Sequence, residues 1–152
     1  MSIDNDEVIS TLNNLVETCK DGQNGFRTAA EGVKNSELIA LFNTYSQQRG
    51  QFASELQNEV RTLGGDPEKT GSTGAALHRG WINIKSTVTG KDEGAVISEC
   101  ERGEDSAVKA YKEALQEDLP ANVQAIIETQ FTKVKEAHDR IRSLEKAKTQ
   151  AG

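Results

Sequence analysis

Apolar residues recur at steps of three and four through most of the chain. Ile9, Leu12, Val16, Cys19, Gln23, Phe26, Ala30 and Val33 form one such line, the signature of an amphipathic helix with a single buried stripe. It predicts a first long helix over about 5–34, begun by Asp4 with Glu7 three residues on, a pairing that accepts amide protons left free in a first turn. A second line, Leu38, Leu41, Tyr45, Gln48, Phe52, Leu56, Val60 and Leu63, predicts a helix over about 37–63. Ser36 is its expected N-cap, and Gly64 and Gly65 its left-handed close. The short link between the two leaves room only for an antiparallel hairpin.

Residues 64–74, "GGDPEKTGSTG", are rich in Gly, Ser and Thr and read as a loop. A shorter helical pattern follows over about 75–88, with Leu77, Trp81, Ile84 and Val88 on one face, lying across the bundle. Ile97, Cys100, Glu104, Val108, Tyr111 and Leu115 predict a third long helix over about 93–117. Pro120, tolerated in a first turn because it lacks only an amide hydrogen that would go unused, opens a fourth over about 120–148. That helix turns Val123, Ile127, Gln130, Val134, His138, Ile141 and Leu144 inward. Period-two runs of Val and Ile are too few for a sheet. The expected fold is therefore all-α: one domain over 1–152, a four-helix bundle with a crossover at 64–92 that holds a short extra helix.

Each long stripe carries one polar residue where an aliphatic one is expected: Gln23, Gln48, Glu104 and His138. With a long crossover, the third helix starts beside the end of the first. At a rise of ~1.5 Å per residue, the four then fall within roughly 3 Å of one level, as a single polar layer. In a simple up-down-up-down bundle Glu104 is displaced by roughly 10 Å along the axis and buried alone. An unpaired buried carboxylate costs several kcal/mol or takes up a proton, which favours the crossover. In this reading the glutamine amides satisfy Glu104, and Glu104→Gln keeps or raises stability.

Composition narrows the partners. Of 152 residues, 35% are apolar and 28% charged, ordinary for long amphipathic helices with one wet face. A net charge of −6 argues against a phosphate backbone or an anionic membrane surface as partner, since both require clustered cations. The N-terminus lacks the basic and apolar regions of a secretory signal and no stretch reaches the ~20 apolar residues of a bilayer span, so a cytoplasmic location is expected. Cys19 and Cys100 match no metal-ligand spacing and fall on apolar stripes, as buried free thiols.

The segment "ECERGED" (99–105) concentrates acids. Glu104 lies on the stripe, Glu99 and Asp105 are expected to point to solvent, and Glu101 lies between. Gly103, like Gly22, Gly25 and Gly50, costs about 1 kcal/mol against alanine inside a helix unless a close approach requires it; the crossing segment or another subunit is the expected neighbour. Within "GSTGAALHRGW", His78, Arg79 and Trp81 offer charge and a flat apolar face to a ligand, against the plainer reading that Trp81 caps the core and Arg79 pairs with an acid. No Ser–His–Asp or Cys–His nucleophile arrangement is evident, and "GDPEKTGSTG" lacks the Gly-Lys-Ser/Thr ending of a phosphate loop.

The stretches "DGQNGFRTAAE" (21–31), "LGGDPEKTGSTGAALHRGW" (63–81), "ECERGEDSAVKAYKEAL" (99–115) and "VKEAHDRIRSLE" (134–145) resemble a family of uncharacterised bacterial four-helix proteins, classed with ferritin-like folds and carrying a domain-of-unknown-function label. The resemblance implies a ferritin-like bundle with a crossover and no established activity. A ferritin-like di-iron centre takes one Glu from each of two helices and a Glu-x-x-His pair from each of the others. Here Lys135 stands three before His138, and the second helix offers Gln48 and Gln51 where Glu and His are needed. The first has Gln23 at the layer and Glu17 almost two turns away. The expected function is a non-catalytic structural or interaction module, with a stress-related role, self-association and no cofactor as further expectations. The alternative is a metal or redox protein in which Glu104 and His138, with Glu101 one turn away, hold one divalent iron, manganese or zinc ion.

Overall fold

The computed structural model describes residues 4–67, 80, 81, 83–90 and 92–151. Helix α1 spans Asn5–Glu31 and is capped by Asp4, whose side chain accepts the Asp6 N–H at 2.9 Å. It ends three residues sooner than its apolar pattern predicts, because Gly32 closes it by donating its N–H to the Ala29 carbonyl. Helix α2 spans Ser36–Thr62, and its cap is Asn35 rather than Ser36: the Asn35 side chain accepts from the amides of Glu37 and Leu38. At its other end Gly64 adopts φ +85°. The Gly64 amide bonds the Arg61 carbonyl and the Gly65 amide bonds that of Val60, a Schellman closure that satisfies carbonyls the last turn leaves free.

Helix α3 is a short piece, Ile84–Thr89, at the end of the crossover. The helix expected over 75–88 thus begins only at Ile84: Gly80, Trp81 and Asn83 are not helical, and residues 75–79 and 82 lie outside the described residues. Helix α4 covers Glu93–Leu115 and α5 covers Ala121–Ala151, with Pro120 just before α5 accepting the Gln124 N–H. No strand occurs among the described residues.

Two apolar clusters define the topology. One joins Val8–Cys19 of α1 to Phe52–Val60 of α2, Ala107–Ala114 of α4 and Val123–Val134 of α5. The other joins Phe26–Ala30 and Val33 to Leu38 and Phe42, to Val96–Cys100, and to Ile141. Helix α4 therefore starts beside the end of α1, and α2 and α4 run the same way, as the crossover requires. The close neighbours are α1 with α2, α4 with α5 and α1 with α4; α2 meets α5 weakly, and α2 and α4 stand diagonally opposed.

Trp81, only 2% exposed, fixes the crossover to this frame. Its ring meets Phe26 edge-on at 5.0 Å between centroids and lies over Gly25 of α1 and Gly103 of α4. A Cβ at either glycine would overlap the indole. The preceding Gly80 has φ +74° and passes so close to the backbone of Arg102 and Gly103 that no side chain fits there. Gly25 and Gly103 thus face the crossing segment, whereas Gly22 and Gly50 face Arg49 and Gln23 across the α1–α2 contact, and Trp81 is part of the core rather than a cap over its end.

Candidate functional site

The stripe of α2 centres one residue later than its sequence suggests. Leu41, Tyr45 and Gln48 are half-buried at the edge, whereas Phe42, Ser46 and Arg49 point to the middle. Both lines step by three and four, so the period alone does not separate them. Glu104, 0% exposed, is met across the bundle diagonal by Arg49, 1% exposed. The guanidinium donates Nη1–H to Oε1 and Nη2–H to Oε2, each at 2.6 Å. Gly22 leaves room for the Arg49 stem, and the cation lies 5.5 Å from the Phe26 ring centroid. Burial alone would lower the Arg49 pKa; the Glu104 carboxylate outweighs it and raises that pKa above its ordinary value.

The layer of Gln23, Gln48, Glu104 and His138 is not assembled. Gln23 is half-buried against Gly50. Gln48 has its Oε1 sealed from solvent with no hydrogen-bond partner among the described residues, and His138 is on the outer α4–α5 seam. The four helices are instead joined one step further along. The Cys19 thiol of α1 lies 3.1 Å from the Tyr111 hydroxyl of α4, which donates to Gln130 Oε1 of α5 at 2.7 Å. Gln130 Nε2 then donates to Glu55 Oε1 at 2.9 Å and to the Phe52 carbonyl of α2 at 3.4 Å. Cys19, its pKa pushed up to about 11 by burial, and Cys100, also pushed up by burial, are both buried free thiols.

The acidic segment of α4 divides differently from expectation. Glu99 does not point to solvent: it is 4% exposed, accepts the Asn83 N–H at 2.7 Å at the start of α3 and pairs with Arg102 at 3.3 Å. Its role is to satisfy a backbone amide where the crossover meets α4. Glu104 turns inward, away from Glu101 and His138, so the Glu104–His138 pairing expected for a core metal is not formed. Asp105 is exposed, as expected, and at the same time meets His138 beside Glu101, so that one ligand atom from each lies within 4.8 Å of the others.

In that group His138 Nε2 is 2.6 Å from Asp105 Oδ1 and Nδ1 is 3.2 Å from Asp139 Oδ1. Burial lowers the His138 pKa, but the bonds to Asp105 and Asp139 outweigh it, and the net shift is upward. A hydrogen bond with Glu145, helped by burial and by neighbouring negative charge, raises Glu101 to about 7. The same bond and one from Ser98 lower Glu145. His78 and Arg79, singled out with Trp81 as a ligand site, lie outside the described residues.

A groove of about 730 Å³ opens where α2 and α5 part. Leu38, Leu41, Ile97 and Leu144 line it, with Arg140 and Glu37 among its polar residues. Among the described residues no helix is long and apolar enough to cross a membrane.

Fold and site together define an all-α bundle whose central level is closed by a buried ion pair. Residues 7–117 match the family described as a domain of unknown function, DUF2383, and the chain belongs to that family. The match takes in Arg49, Glu104, Trp81, Gly25 and Gly103, and stops before α5. No curated protein matches the chain.

Proposed function

We propose that this chain is a ferritin-like bundle without core metal chemistry, serving as a structural or interaction module. The observation that carries the reading is the bidentate Arg49–Glu104 pair. A carboxylate at the centre of such a bundle needs a compensating cation, and here a guanidinium supplies it, with both carboxylate oxygens engaged at 2.6 Å. A planar guanidinium held by two parallel bonds is a fixed, specific partner, so both Glu104 oxygens are already engaged by a cation. The hydroxyl, amide and thiol of the neighbouring tier are likewise engaged with one another. The groove between α2 and α5, with Leu41 and Leu144 half-exposed along it, is the apolar surface that an interaction role would use.

The test is aerobic ferrous-iron oxidation by chelator-stripped protein. The expected rate equals that of buffer alone, for the parent and for Arg49→Met. Oxidation that rises in proportion to parent protein and falls in Glu104→Gln would overturn the reading.

A further inference from the structure

We propose that Glu101 and Asp105 of α4, with His138 of α5, form a binding site for one divalent transition-metal cation on the outer seam of the bundle, apart from the Arg49–Glu104 pair. Glu101 and Asp105 are four residues apart, hence stacked on one face of α4. That face flanks the core line of Cys100, Glu104 and Ala107, and it looks across to His138, which is one residue past the buried Ala137 of α5. The two helices thereby bring an imidazole nitrogen and two carboxylate oxygens within 4.8 Å of one another. Small side-chain rotations close that to the spacing needed for metal–ligand bonds of about 2.0–2.2 Å.

Two further observations point to a ligand. The first is the orientation of His138: its Nε2 faces the acids while Nδ1 is held by Asp139 at 3.2 Å. A metal-binding histidine is ordinarily fixed in this way, with its second nitrogen on a carboxylate that sets the tautomer and the ring plane. The second is the Glu101 carboxyl, whose Oε2 is sealed from solvent and which shares a hydrogen bond with Glu145. Two carboxylates held this close need a proton or a cation between them, and a cation between α4 and α5 would meet that need. The donor set of one imidazole and two carboxylates selects zinc, manganese or ferrous iron over calcium and magnesium, which take oxygen ligands alone. Glu145, hydrogen-bonded to Glu101, is placed to orient that carboxylate.

The experiment is calorimetric titration of the chelator-stripped full chain with zinc chloride, and separately with calcium chloride, paired with cobalt absorption spectra. The expected result is one zinc ion per chain and no calcium heat. His138→Gln and Asp105→Asn should each weaken zinc binding at least tenfold, and Asp139→Asn, which removes only the orienting carboxylate, about tenfold. Each variant is checked by circular dichroism for a helical spectrum matching the parent; His138→Asn replaces His138→Gln should the latter not fold. The proposal is overturned by absence of zinc binding, by equal affinity in the folded His138 variant, which would place the metal elsewhere, or by thiolate charge-transfer absorption with cobalt, which would place it on the cysteines. None of these results bears on iron oxidation in the core, so this site and the core reading fail separately.

Discussion

Arg49 and Glu104 face each other across the diagonal of the bundle, both fully buried and joined by two hydrogen bonds of 2.6 Å. Removing one partner strands a charge in the core, which costs about 3–5 kcal/mol. Glu104→Gln is therefore expected to lower stability by that order, the reverse of what a layer of glutamines around Glu104 would give. The double variant Arg49→Met, Glu104→Leu should recover most of the loss, since apolar side chains of similar volume replace buried ion pairs at little cost. Urea unfolding of the two singles and the double measures the coupling directly. Arg49→Lys should not rescue, because an ammonium lacks the planar fork.

Trp81 and Gly103 form a second inseparable pair. In a free helix Gly103→Ala would gain about 1 kcal/mol. Here the new methyl group overlaps the indole, and overpacking of that kind costs about 1–3 kcal/mol, so the net effect is destabilising. Gly25→Ala should behave the same way. Trp81→Leu vacates the space, and in that background Gly103→Ala should cost far less. Chemical denaturation followed by circular dichroism, which does not depend on the lost fluorophore, measures this.

The Tyr111 hydroxyl links Cys19 to Gln130 within the apolar cluster that joins Val8–Cys19 of α1 to Val123–Val134 of α5. Tyr111→Phe leaves the amide oxygen without its donor and should cost about 1–3 kcal/mol, the range for an orphaned buried polar group. Both thiols are sealed and shifted away from the thiolate. Neither should react with an aromatic disulfide reagent in the folded protein, and both should react on unfolding.

The seam cluster should make stability depend on pH. Folding raises Glu101 from 4.5 to about 7, so its contribution is complete below pH 4.5 and lost as pH climbs to about 7. His138, raised above 6.5, acts in the same sense: its contribution is complete below 6.5 and lost as pH passes its folded value. Glu145, lowered from 4.5, acts oppositely, contributing above 4.5 and losing that contribution as pH falls through its folded value. Melting temperatures of metal-free protein should thus decline from about pH 5 to pH 8 on account of this cluster. Glu101→Gln, which holds that side chain in its neutral shape, should flatten the decline.

The four long helices were legible in the linear pattern because burial on one face of a helix imposes a three-and-four spacing that any stretch of chain reveals. Their ends shifted by a few residues where a cap proved stronger than the pattern, as at Gly32 and Asn35. The crossover was legible too, through the argument that Glu104 could not be buried alone. What the one-dimensional pattern left open was the choice between adjacent residues at the edge of a stripe: Gln48 or Arg49, Ala137 or His138. A stripe wider than 100° admits both members of each pair. A hydrophobicity rule discards arginine from the core, so the residue that neutralises Glu104 was the one it passed over. Only packing four helices together showed which side chain reaches across the diagonal. The same packing drew Asp105 to His138 and seated Trp81 between two glycines, because those contacts join residues tens of positions apart whose meeting depends on helix rotation and not on spacing along the chain.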